Sequence, residues 1–201
     1  MMLPILLLLT LAALIASGIS PHDRLTWWME VLPVMIALPI LLLTRRGFPL
    51  TPLLYVLLFI HGLILMLGGH YTYARVPLGF WMQDWFDFAR NHYDRIGHLA
   101  QGFVPAMLAR EILVRLSPLG APRARCWLFF LVCCVVLAVS ATYEFIEWWA
   151  ALLYGADADS FLATQGDMWD TQRDMFLAIT GGIAAQLLLS DVHDRQLRRF
   201  H

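Results

Sequence analysis

Trp127 to Leu153 reads WLFFLVCCVVLAVSATYEFIEWWAALL, an apolar run of 27 residues with no basic side chain and only two acids, Glu144 and Glu147, near its far end. A helix that crosses a bilayer takes about 20 mostly apolar residues, so this run is long enough to cross and carries its two charges toward one end. Around it lie five further stretches of the same kind: Leu3 to Ile19, Trp27 to Leu43, Pro52 to Leu67, Ile96 to Val114 and Thr171 to Leu189. The expected fold is therefore all-α, a polytopic transmembrane bundle of about six spans forming a single integral membrane domain over residues 1–201. The fourth and sixth stretches are less apolar and carry ionisable groups at one end, which marks them as bundle-facing helices.

Composition agrees, since 60% of the chain is apolar and 14% charged, far from the balance of a soluble fold. The formal charge of -1, with Arg and no Lys, gives no basic surface for nucleic acid. Cys126, Cys133 and Cys134 form neither a disulfide framework nor a zinc spacing. Ala16, Ser17 and Gly18 after the first run resemble a signal-peptide end, but no Arg precedes it, so an uncleaved helix is expected.

Arg45 and Arg46 follow the second run, Arg115, Arg123 and Arg125 the fourth, and Arg195, Arg198 and Arg199 the last. The positive-inside rule puts these segments, and both termini, in the cytoplasm. The segment from Tyr154 to Asp170, with Asp157, Asp159, Asp167 and Asp170 and no basic residue, then faces outward. Residues 78–90 read as a short amphipathic interfacial helix with Trp81, Trp85 and Phe88 on one face, an aromatic belt or a lid.

This threading carries polar residues from four segments to the outer level: His70, Tyr71 and Tyr73; His92, Asp94 and His98; Glu144 and Glu147; Asp167, Asp170 and Asp174. Residues three or four apart share a helix face. Asp94 therefore lies with His98, and Ser140 with Glu144 and Glu147. Asp167, Asp170 and Asp174 make a third stripe that continues into Ala178, Gly181 and Ala185, where small side chains admit a neighbouring helix.

The acids outnumber the nearest cations in sequence, Arg95 and Arg173, and a charge at the centre of a span costs roughly 2.5–3.5 kcal/mol. Three readings follow. In the first, Asp94, His98, Glu144 and Asp174 bind a divalent metal (Zn, Mn, Fe or Mg), with Glu147 or Asp170 as general base or as a group behind the ligands, and His70, Tyr71, Tyr73, His92 and Asp167 completing the pocket. Membrane lipids are then the partners, with a lipid-linked envelope substrate for a hydrolase or transferase. In the second, Arg95, Arg173 and the tyrosines satisfy the acids in a packing network. In the third, the cluster serves proton-coupled transport, with His61, mid-span, as the relay. Glu111 reads as an interfacial ion pair with Arg115, and Pro33, Pro39 and Pro105 as helix kinks. No phosphate loop, HExxH pair or GxSxG elbow occurs.

The stretches Gly69-His70-Tyr71-Thr72-Tyr73, Asn91-His92-Tyr93-Asp94-Arg95-Ile96-Gly97-His98, Tyr143-Glu144-Phe145-Ile146-Glu147-Trp148-Trp149 and residues 165–175, QGDMWDTQRDM, resemble those of the YjdF-like bacterial inner-membrane proteins, a family of unknown function. The resemblance covers nearly the whole chain and implies the plasma membrane. A weaker likeness is to VanZ-like membrane proteins, whose Asp-Lys/Arg-x-x-His pattern Asp94, Arg95 and His98 match. Glu147 stands where that family has Gln, and Ala178 where it has Asn before Gly181. This second likeness implies envelope lipids or lipid-linked precursors as ligands.

Overall fold

A computed structural model of the chain describes residues 2–155 and 159–200. Among these residues it is all helical, with no strand: α1 Met2–Ser17, α2 Arg24–Thr44, α3 Pro52–Tyr71, α4 Pro77–Phe86, α5 Tyr93–Leu116, α6 Arg125–Tyr154, α7 Asp159–Leu162 and α8 Asp170–Leu197. Four helices, α2, α3, α6 and α8, are long and apolar enough to cross a membrane, and α1 is a shorter apolar helix. Asp157 of the acidic segment lies outside the described residues.

The helices overrun the apolar stretches because polar ends keep helical hydrogen bonding. Asp23 caps α2 by accepting from the Thr26 amide at 2.7 Å, and Thr51 caps α3, whose first residue is Pro52, a position where its missing N–H is not needed. At the other end α8 continues through Ser190-Asp191-Val192-His193 to Leu197. The interfacial helix is shorter than the sequence suggested: α4 stops at Phe86, and Asp87 takes a left-handed conformation with φ 54°. Phe88 therefore leaves the Trp81–Trp85 face and stacks on Phe86 instead, ring centroids 5.4 Å apart.

The bundle is organised on α5 and α8, which run parallel. Their contacts step down together, from Arg95 with Asp174 to Gly102 beside Ala178 and on to Glu111 with His193. At the crossing a Cβ on Gly102 would lie 1.7 Å from the Ala178 carbonyl oxygen, and one on Gly181 would lie 2.1 Å from that of Leu99. The stripe Asp170, Asp174, Ala178, Gly181 and Ala185 is indeed buried, and α5 is the helix it admits. α6 runs antiparallel on this pair, with Val136 against Gly182, while α3 packs on α5 and carries α1 and α2 on its outside.

The arginine-rich end is closed by a second buried network. Glu111 and His193 are both 0% exposed, so the expected Glu111–Arg115 pair, 2.9 Å long, is buried among the helices. Thr51 donates its hydroxyl to Glu111 at 2.8 Å, tying α3 in. Arg110 can only donate, so its 2.9 Å bond to His193 Nδ1 makes that nitrogen an acceptor. His193 then carries its proton on Nε2 and donates it to Glu111 at 2.9 Å. Every member is satisfied, which is the condition for a buried polar network to hold helices together.

Candidate functional site

At the opposite end the chain prepares α5 to present acids. Asn91 accepts from the Tyr93 amide at 3.0 Å and donates to the Val76 carbonyl at 3.0 Å, which fixes where α5 begins. Asp94 then falls in the first turn, where the helix dipole favours a carboxylate, and one turn on His98 Nε2 stands 3.4 Å from Asp94 Oδ1. Asp174 from α8 brings Oδ2 to 3.8 Å from the same nitrogen. From α6, Glu144 and Glu147 complete a group with His98 whose candidate ligand atoms all lie within 4.8 Å of one another; Asp94, His98 and Asp174 form another such group. The three separated acids Asp94, Glu144 and Asp174 thus meet around one imidazole.

The other face of that imidazole is also held. His98 Nδ1 lies 3.0 Å from Gln101 Oε1, and since an amide oxygen only accepts, Nδ1 carries a proton. Gln101 went unnoticed in the sequence, although its spacing of three from His98 places it on the same face.

Two guanidinium groups neutralise the α8 acids. Arg95 pairs with Asp167 and Asp170 at 2.9 Å each and with Asp174; Arg90 reaches Asp170 at 3.0 Å. Arg173 pairs with Asp167 at 2.6 Å. Asp167 lies outside the helices, and the Trp169 amide it accepts, followed by the neighbouring Arg173, Arg90 and Arg95, holds its carboxyl below the usual carboxylate range. Arg173 therefore pairs with Asp167, not with Asp170 and Asp174, and Asp94 pairs with His98, not with Arg95. Arg90, in the turn before α5, supplies a cation that counting along the sequence missed.

A cavity of about 170 Å³ opens beside this cluster, lined among others by Glu30, His61, Tyr73, Asp94, His98 and Glu147. Glu30, on α2, is 3% exposed and accepts from the Tyr143 hydroxyl at 3.1 Å. It lies inside the apolar stretch Trp27 to Leu43. A lone acid in a span is a functional candidate by default, and that signal was present. Asp94 Oδ2, Glu144 Oε1 and His61 Nε2 are buried with no protein partner. With Arg90, Arg95 and Arg173 occupied by Asp167, Asp170 and Asp174, Glu30, Asp94, Glu144 and Glu147 face one imidazole, an arrangement suited to holding a cation or protons.

The remaining expected residues lie elsewhere. His70 Nδ1 donates to the Ser17 carbonyl at 2.9 Å and its own carbonyl accepts from the His22 amide, so it fastens the α1–α2 turn. Tyr71 is exposed. His92 stands edge-on to Phe88, centroids 4.7 Å apart, and burial with Arg90 and Arg95 nearby keeps its pKa low. Tyr73 alone of that group reaches the cavity, buried where Gly68 and Gly97 leave room for its ring.

Long apolar helices around a largely buried acid–imidazole cluster define a polytopic helical membrane protein. The chain belongs to the family described as predicted membrane protein (DUF2238), whose model matches residues 2–195. It is 59% identical over 187 residues to the inner membrane protein YjdF of Escherichia coli (strain K12), covering 93% of this chain and 88% of that protein. No solved structure matches it. An inner-membrane location follows, as the sequence reading expected.

Proposed function

We propose that the cluster around His98 is a divalent-metal site at the outward end of a six-span bundle with both termini in the cytoplasm, serving a hydrolase or transferase that acts on a lipid-linked substrate. The observation that carries this reading is that one imidazole lies among carboxylates from two other helices and its own, with Nε2 facing Asp94 and Asp174 and Nδ1 held by Gln101. Two ligands each about 2.1 Å from a tetrahedral ion stand about 3.4 Å apart, close to the 3.4 and 3.8 Å separating His98 Nε2 from Asp94 and Asp174. A proton fixed on Nδ1 leaves Nε2 free to ligate, the usual division of labour in metal-bound histidine. Asp174, gripped by Arg95 through its other oxygen, is oriented for the same role.

An ion there, with an open position, would activate water toward a phosphate or acyl ester. Glu147 is the candidate general base. Asp170, engaged by Arg90 and Arg95, acts behind the ligands by holding Arg95 against Asp174. Metal analysis of detergent-purified protein tests this: about one Zn, Mn, Fe or Mg per chain is expected, reduced at least tenfold in His98→Ala. Metal-free wild type whose melting temperature ignores chelator refutes it.

One observation favours the alternative of proton-coupled transport. His61, with its unpartnered Nε2, lines both the polar cavity and an apolar crevice among α1, α2 and α3. A pH-dependent flux in vesicles, abolished by His61→Ala, would promote that reading over the enzyme.

A further inference from the structure

α2 packs on α3 and α7 but stands off from α5 and α6, leaving a crevice of about 670 Å³, within the 300–1,000 Å³ typical of small-molecule sites. Its walls are apolar: Leu32, Ile36 and Ile40 from α2, Leu108 and Ile112 from α5, and Ile146 from α6. Along α2 it runs from Met29 to Thr44, about 22 Å at 1.5 Å per residue, most of the roughly 30 Å hydrocarbon core. Leu32, Ile36 and Ile40 are exposed, so the crevice is open sideways to the membrane.

Its outer end is shut, and the closing residue belongs to the polar site. Tyr143 lines both the crevice and the acidic cavity, donates to Glu30 at 3.1 Å, and holds its ring 6.3 Å from that of His98. A helix from a second copy would need α2 and α6 separated by two packing distances, about 16–20 Å, and the Tyr143–Glu30 bond forbids that at this end. A flexible hydrocarbon chain narrows with the crevice.

We infer that the crevice between α2 and α5 seats an acyl chain of a glycerophospholipid, entering sideways from the bilayer so that the lipid's polar head comes to rest at Tyr143, which stands between the crevice and the His98 cluster. This deepens the reading of that cluster as the site of chemistry on a lipid and rests on it for the fate of the head group. The chain's seat depends on the crevice alone. Filling the crevice from either wall, by Ala37→Trp on α2 or Ile112→Trp on α5, removes the seat; Leu187→Trp, on the exposed face of α8, does not.

The test is to reconstitute the protein in vesicles of phosphatidylethanolamine and phosphatidylglycerol, extract it into detergent, separate it by gel filtration, and measure phosphorus and lipid mass per chain. About one glycerophospholipid per wild-type chain is expected, the same in Leu187→Trp, and at least tenfold less in both Ala37→Trp and Ile112→Trp, each verified as folded by its melting curve. Equal retention in all variants, lipid-free wild type, an isoprenoid in place of the glycerophospholipid in protein from cells, or a dimer in which α2 cross-links to a second copy overturns the proposal. Metal binding in the same preparations separates the two readings: metal without retained lipid overturns this one alone, and retained lipid without metal overturns only the metal site.

Discussion

At the scale of single residues, the polar end owes its shape to which acids find a guanidinium. Asp167 accepts the Trp169 amide and faces Arg173, Arg90 and Arg95, so its carboxyl titrates lower in the folded chain than in the unfolded one. A lowered folded pKa means that the stabilisation is present above the unfolded value near pH 3.9 and is lost as pH falls through the folded value. Wild-type protein in detergent should therefore lose melting temperature more steeply between about pH 5 and pH 3 than Asp167→Asn; parallel curves would show that the pairing contributes nothing. Of these residues the sequence made Asp94, His98, Glu144, Glu147 and Asp174 legible through i, i+3 and i, i+4 spacing. That spacing did not reveal Glu30, whose partner Tyr143 is 113 positions away, or Arg90, whose partners are Asp167 and Asp170. Spacing along one helix carries no information about a neighbour brought in by packing. His70 failed for the opposite reason: its position at the end of α3 suggested the pocket, but the α1–α2 turn needed its ring.

At the scale of elements, the crossing of α5 and α8 is the contact on which the rest is arranged. Between apolar helices in lipid there is little hydrophobic drive, and close backbone approach is what holds them. The small-residue stripe on α8 made half of this contact readable in advance; Gly102 on α5 supplies the other half. Because the atom a Cβ at Gly102 would meet is a backbone oxygen 1.7 Å away, it cannot swing aside, and the helices must separate. Gly102→Ala should lower the melting temperature in detergent by an amount corresponding to about 1–3 kcal/mol. Gly62, on α3, is a control of opposite sign, since its Cβ would find its nearest neighbour, Val34 Cγ2, at an ordinary 3.7 Å. Gly62→Ala should leave the protein unchanged or stabilise it by about 0.5–1 kcal/mol through helix propensity. A Gly102→Ala protein as stable as wild type would mean that the two helices are not in backbone contact.

At the scale of the whole molecule, the two polar networks sit at opposite ends and differ in kind. At the arginine-rich end Glu111, His193, Arg110, Arg115 and Thr51 satisfy one another; at the other, Asp94 and Glu144 retain unpartnered oxygens. Unpartnered buried carboxylate atoms cost free energy where they stand. This polarity makes a prediction about orientation. The excess of Arg in the α2–α3 and α5–α6 turns and after α8 should keep that end in the cytoplasm, leaving α4 and the His98 cluster facing outward. Replacing Cys126, Cys133 and Cys134 by Ser or Ala and adding a single cysteine at Asp84, on α4, or at Arg198, after α8, lets a membrane-impermeant maleimide decide. In intact spheroplasts the Asp84→Cys protein should label and the Arg198→Cys protein should label only after the membrane is permeabilised. The reverse pattern would turn the bundle over and place the acid–imidazole cluster on the cytoplasmic side, where a lipid of the outer leaflet could not bring its head to His98.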